Sequence, residues 1–185
     1  MDSRYIGHRL HELRDRKSKN AFLESVMSDP TATILNESNG HKTILFPRNK
    51  GPKSNVWEET KRMAFELNEN VFDVAFLLEL ESDVCADSLI KKGQTFKIAD
   101  FKYCVTTKSN TLVKELEHGF EQGDAVVLKL VNMDSGVLKE AVDYLFRNKM
   151  PFGDIILLNR YGKTLVINHK DIKSKAYARK IKGFL

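Results

Sequence analysis

The spacing of apolar residues changes period several times along the chain, and each change predicts an element. Ile6, Leu10 and Leu13 share a helical face near the N-terminus. Ser18 or Asn20 then opens a second helix, with the stripe Phe22, Leu23, Val26 and Met27 closed before Pro30. From there the period falls to two. Thr31 to Asn36 and His41 to Phe46 flank Glu37, Ser38, Asn39 and Gly40, and the Asn-Gly step favours the positive φ of a tight hairpin turn. Pro47 to Ser54, with two prolines and a glycine, reads as a loop.

A helix is predicted over Asn55 to Asn68, with Val56, Thr60, Met63, Ala64 and Leu67 on its buried face. Val71 to Leu80 is a nearly continuous apolar run, as in a strand covered on both sides. Ser88 to Ile90 and Gln94 to Cys104 form the arms of a second hairpin around Lys91, Lys92 and Gly93. Helices over Thr111 to Gln122 and Ser135 to Asn148 alternate with strands over Ala125 to Val131 and Asp154 to Leu158. The turn Arg160 to Lys163 leads into a last strand, Thr164 to Asn168. Strand and helix alternating in this way imply right-handed crossovers and a mixed sheet between helices, a three-layer α/β domain. The expected organisation is a helical N-terminal extension (1–30), an α/β domain (31–170) and a basic C-terminal tail (171–185).

Composition narrows the class. At 185 residues the chain is long enough to build its own core without disulfides or structural metal. No apolar run is long enough for a transmembrane helix, and the N-terminus is too polar for a signal peptide. Two cysteines without CxxC spacing fit a reducing compartment, so a cytoplasmic protein with no membrane partner is expected. The net charge of +5 is not evenly spread: Lys170 to Leu185 holds six basic residues and one acid. Such a segment is either an electrostatic footprint for a polyanion or a solvated terminus.

The stretch from Cys85 to Tyr103 carries the candidate chemistry. Asp87 opens one hairpin arm, and Asp100 and Lys102 lie two apart on the other. Strand alternation puts Asp100 and Lys102 on one face, opposite Phe101 and Tyr103. Two carboxylates and an ammonium on one face suit metal-assisted phosphodiester hydrolysis. The carboxylates bind Mg²⁺ or Mn²⁺ through hard oxygen ligands, the ion activates water, and the lysine stabilises developing charge. The same Asp-x-Lys spacing also arises as a solvent-facing ion pair on an edge strand. Glu59 borders the buried face of its helix, within reach of the sheet, although acidic residues near helix N-termini are also favoured by the dipole. Gln122 ends the helix that follows Asp100, where it either bridges metal-bound water or caps the helix.

These residues occur in a longer pattern: Glu59, Ala64 and Leu67; the run Val74 to Leu78; Ala86-Asp87-Ser88-Leu89-Ile90; Gly93 and Phe96; Ile98-Ala99-Asp100-Phe101-Lys102; and Gly119-Phe120-Glu121-Gln122-Gly123-Asp124 before an apolar strand. Over roughly residues 55 to 170 this pattern resembles the PD-(D/E)xK nuclease superfamily. More narrowly, it is similar to the C-terminal tRNase domains of contact-dependent growth-inhibition (CDI) toxins. The resemblance implies a restriction-endonuclease-like fold and cleavage of nucleic acid, tRNA first, with RNA ahead of DNA. It also implies catalytic roles for Asp87, Asp100 and Lys102, supporting roles for Glu59 and Gln122, and an immunity protein as a possible partner. Asp100 stands where glutamate is common, a change that a metal ligand tolerates.

On this reading Arg48, Lys50 and Lys53 of the loop and Lys173, Lys175, Arg179, Lys180 and Lys182 of the tail grip phosphates without reading sequence. The alternative is a non-catalytic nucleic-acid-binding or interaction protein on the same scaffold, with Asp100 and Lys102 merely paired. A small-molecule enzyme is the third reading, but the chain has no phosphate-cradling glycine loop, nucleophile elbow or Cys/His dyad.

Overall fold

The computed structural model describes residues 9, 12, 15–46, 55–76, 88–132, 134–148 and 153–185. The expected first helix, carrying Ile6, Leu10 and Leu13, lies outside them. The chain forms two compact units, Met1–Ile98 and Ala99–Leu185.

In the first unit, α1 (Arg16–Met27) is capped by Asp15, one turn earlier than Ser18 or Asn20; the Asp15 carboxylate accepts a hydrogen bond from the Ser18 N–H at 2.9 Å. Its buried stripe is Leu23, Val26 and Met27. Strands β1 (Thr33–Ser38) and β2 (His41–Leu45) form the expected antiparallel hairpin. Asn39 and Gly40 at its tip both have positive φ, 53° and 75°.

Helix α2 (Asn55–Glu69) leads to β3 (Asp73–Phe76), which pairs parallel to β2 and antiparallel to β4 (Ser88–Lys92). The buried face of α2 differs from expectation by one residue at its start. Val56 is 75% exposed, whereas Trp57 is buried and packs edge-on against Phe76 at 4.8 Å between ring centroids. Met63, Ala64 and Leu67 are buried as expected.

The pleat divides the inner strands of this unit between two helices. Ile44, Ala75 and Leu89 are in register and pack with α1. On the opposite face Phe76 meets α2, and the Thr43 hydroxyl donates to the Asn68 side-chain oxygen at 2.7 Å. This unit is thus helix, sheet and helix in three layers.

The β5 strand (Thr95–Cys104) begins in the first unit and continues into the second. There it pairs parallel to β6 (Ala125–Leu130), which pairs parallel to β7 (Asp154–Leu158); β8 (Thr164–Ile167) closes antiparallel. Helices α3 (Ser109–Gln122) and α4 (Ser135–Arg147) make the crossovers. Both share one core with Val126, Leu128, Ile155, Leu157 and Ile167. The opposite sheet face, with Ala125, Val127, Ile156 and Leu158, is buried as well. Parallel and antiparallel pairings together make a mixed α/β architecture.

The basic segment expected as a tail folds into α5 (His169–Lys173) and α6 (Tyr177–Lys182). Ile172, Tyr177 and Ile181 belong to the core of the second unit, so apolar side chains tie this segment down while its charged ones face outward. No described helix is long and apolar enough to cross a membrane.

Candidate active site

Asp100 and Lys102 project from β5 on the side where Cys104 joins the core beneath α3. Lys102 Nζ lies 2.8 Å from Asp100 Oδ2. Asp100 is only 1% exposed and the Lys102 side chain 18%. The pair is therefore covered, unlike a solvent-facing pair on an edge strand. Asp100 is in register with Val126 and Lys102 with Leu128 of β6.

The cover is α3, and Gly119 makes its close approach possible. A Cβ at this position would lie 2.5 Å from Val126 Cγ2 and 2.9 Å from Asp100 Oδ2. The helix backbone thus rests over the carboxylate at a distance that leaves no room for a side chain. The sequence signal for this close approach was a glycine in the last turn of an amphipathic helix.

Glu115, Gly119 and Gln122 follow at helical spacing on one flank of α3. Cys104 is near the Glu115 end of this flank: burial first, and then the Glu115 charge, raise its thiol pKa against a backbone hydrogen bond at Thr106 that lowers it. Gln122 is half-buried at the last position of the helix, three residues beyond Gly119.

Asp100 Oδ2 is buried without a hydrogen-bond partner although the Lys102 ammonium is 2.8 Å away. The two observations agree if the contact is too bent for a hydrogen bond, since Coulomb attraction depends on distance and not on alignment. A carboxylate oxygen in that state suits a small hard cation. The described residues contain no group of three His, Cys, Asp or Glu side chains that could complete such a site.

The other expected residues divide. Asp87 and the loop residues Arg48, Lys50 and Lys53 lie outside the described residues. Glu59 belongs to the first unit, where it pairs with Arg62 at 3.1 Å along α2. Lys173, Lys175, Arg179 and Lys182 are exposed on α5, α6 and the turn between them. Lys180 is exposed too, but its ammonium pairs with Asp171 at 2.6 Å. It anchors α6 to α5, which leaves it less available to an external phosphate than the other four.

No family model and no curated protein matches the chain. Among solved structures, it is similar to one chain of a CdiA-CT/CdiI toxin and immunity complex from Burkholderia pseudomallei. The likeness covers 68% of this chain and 98% of the other, at 15% identity and a TM-score of 0.50. What the two chains share is a fold.

Proposed function

We propose that the protein is a metal-dependent nuclease of restriction-endonuclease-like fold, acting on RNA and on tRNA in particular, and that it belongs with the toxins of contact-dependent growth inhibition. The observation that carries this reading is the covered Asp100–Lys102 pair on one face of β5. The fold likeness to a chain of a toxin–immunity complex supports the toxin assignment and makes an immunity protein a reasonable second partner.

Asp100 and Asp87 would hold Mg²⁺ or Mn²⁺ through carboxylate oxygens. When bound, the ion supplies an activated water and neutralises charge on the phosphate. Lys102 presents its ammonium toward the non-bridging phosphate oxygens, where negative charge builds in the transition state. Asp100, 2.8 Å away, orients that ammonium. The α3 cover lowers the local dielectric, which strengthens both effects.

A tRNA mixture incubated with Mg²⁺ or with EDTA tests the reading. Expected are fragments that require the ion and vanish in Asp100→Asn and in Lys102→Ala, each checked for retained fold by circular dichroism. Undiminished cleavage in both folded variants discards the site, and no cleavage of RNA or DNA with either ion discards the activity. A second reading, a non-catalytic nucleic-acid-binding protein, is favoured by the mutual neutralisation of Asp100 and Lys102. Tight binding without cleavage under all these conditions would select it.

A further inference from the structure

The turn between β7 and β8 is built more firmly than a hairpin tip requires. Asn159 fixes it through its side-chain oxygen and both its backbone groups. Its Oδ1 accepts the backbone N–H groups of Tyr161 and Lys163, at 3.0 and 3.1 Å. Its own N–H donates to the Lys163 carbonyl, and its carbonyl accepts the Gly162 N–H, both at 3.0 Å. The buried ammonium of Lys129 supports the same carbonyl from within the sheet at 2.9 Å. Gly162 takes the positive φ, 73°, that closes the turn.

This frame presents a preassembled aromatic plate. Tyr161 is 68% exposed, a large ring left in water. The Arg160 guanidinium lies 4.7 Å from the ring centroid, and its Nη2 donates to the Tyr161 hydroxyl at 2.6 Å. The ring is therefore oriented before anything binds, which reduces the entropy lost on association.

The plate also stands in a basic field. Asn159 Nδ2 donates to the Phe184 carbonyl at 3.2 Å, which brings the end of α6 alongside the turn. From Asn159 to Leu185 the chain has eight basic residues and one acid, and that acid, Asp171, is matched by Lys180. Lys163, two residues on from Tyr161, is exposed, as are Arg179 and Lys182 of α6.

We propose that Tyr161, braced by Arg160, is a stacking platform for an unpaired base of a single-stranded nucleic-acid segment, with its phosphates held by Lys163, Arg179 and Lys182. The proposal deepens the nuclease reading and rests on its choice of nucleic acid as substrate, but not on catalysis. An aromatic face accepts any base, and a cationic surface beside it follows the backbone, which is how sequence-tolerant single-strand binding works. In duplex nucleic acid the bases are already stacked, so a duplex can use the cations but not the plate.

The test is binding without divalent ions. Fluorescence anisotropy in EDTA would follow the full-length protein with a labelled oligouridylate of about twelve nucleotides, a duplex of equal length, and inorganic polyphosphate. Tyr161→Ala should weaken the single strand about tenfold, the value of one base stack, and leave duplex and polyphosphate unchanged. Tyr161→Phe, which keeps the ring and loses only the hydroxyl, should stay within about threefold of wild type. Unchanged single-strand binding by Tyr161→Ala, equal losses on all three probes, or no binding of the single strand by wild type would each overturn the platform. Binding as expected together with no cleavage in Mg²⁺ would remove the nuclease reading and leave the platform standing.

Discussion

Asp100 and Lys102 attract each other more strongly under α3 than they would in water, but each has given up hydration to be there. Removing one partner is therefore not equivalent to removing the other. Lys102→Ala leaves a carboxylate that is 1% exposed beneath the Gly119 backbone, and a loss of about 3 kcal/mol is expected. Asp100→Asn leaves an ammonium whose side chain is 18% exposed and can reach water, so the loss should be smaller. Urea denaturation of both variants measures the difference; two losses below about 1 kcal/mol would mean that water reaches the pair. A period of two was enough to place these residues on one face. Their burial was not legible, because it depends on a glycine of a helix formed later in the chain. Val71 is a second such case: the apolar run suggested strand, yet Val71 sits at φ 64°. It occupies the left-handed position of a Schellman motif that ends α2, in which Phe72 N–H donates to the Leu67 carbonyl at 3.1 Å and Val71 N–H to the Asn68 carbonyl at 3.2 Å. A β-branched residue is strained there, so Val71→Gly should stabilise the protein by about 1 kcal/mol in thermal unfolding. A destabilised variant would mean that the strain is already relieved by contacts of the side chain.

Among the elements, helices and strands with strong periodicity were legible and their junctions were not. On α2 the expected face began at Val56, but Trp57 offered a larger apolar surface and the helix turned to bury it. In α5 and α6 the density of charge concealed Ile172, Tyr177 and Ile181, whose spacing is too irregular to read as one amphipathic helix. The capping box at Asn168 and Asp171 starts α5, and Lys175, at φ 57°, separates it from α6. Asp171 also makes the stability of this segment depend on pH. Burial acts to raise its pKa, but the Lys180 ammonium and the Asn168 N–H outweigh burial and hold it below the ordinary carboxylate value. A carboxylate depressed in the folded state contributes stability that is complete above its unfolded pKa and is lost as pH falls through the folded value. Acidification below about pH 4 should therefore loosen α6 first, seen as faster amide exchange from Tyr177 to Lys182. Asp171→Asn should show that loosening already near neutral pH, with little further change in acid. Exchange rates in α6 with the same pH profile in both proteins would show that another group holds the helix.

Over the whole molecule, the distribution of charge decides how binding must be tested. Deleting Lys173 to Leu185 would remove the basic residues but also Tyr177 and Ile181, which are buried in the core, so the loss of binding would be confounded by loss of fold. Neutralising the outward charges avoids this. Lys173, Lys175, Arg179 and Lys182 are exposed, and replacing all four by Gln leaves the apolar contacts of α5 and α6 in place. Each phosphate contact releases counterions, so affinity for a single strand falls with salt at a slope of about 0.7 per contact on logarithmic axes. If all four residues contact phosphates, the quadruple variant should lower the slope by about 3 while its melting temperature stays near that of wild type. Lys180→Gln should behave in the opposite way, because Lys180 is 2.6 Å from Asp171: little change in slope, but a lower melting temperature. A quadruple variant with an unchanged slope would show that the cations of α5 and α6 only solvate the surface, and would place the polyanion contacts of this protein elsewhere in the chain.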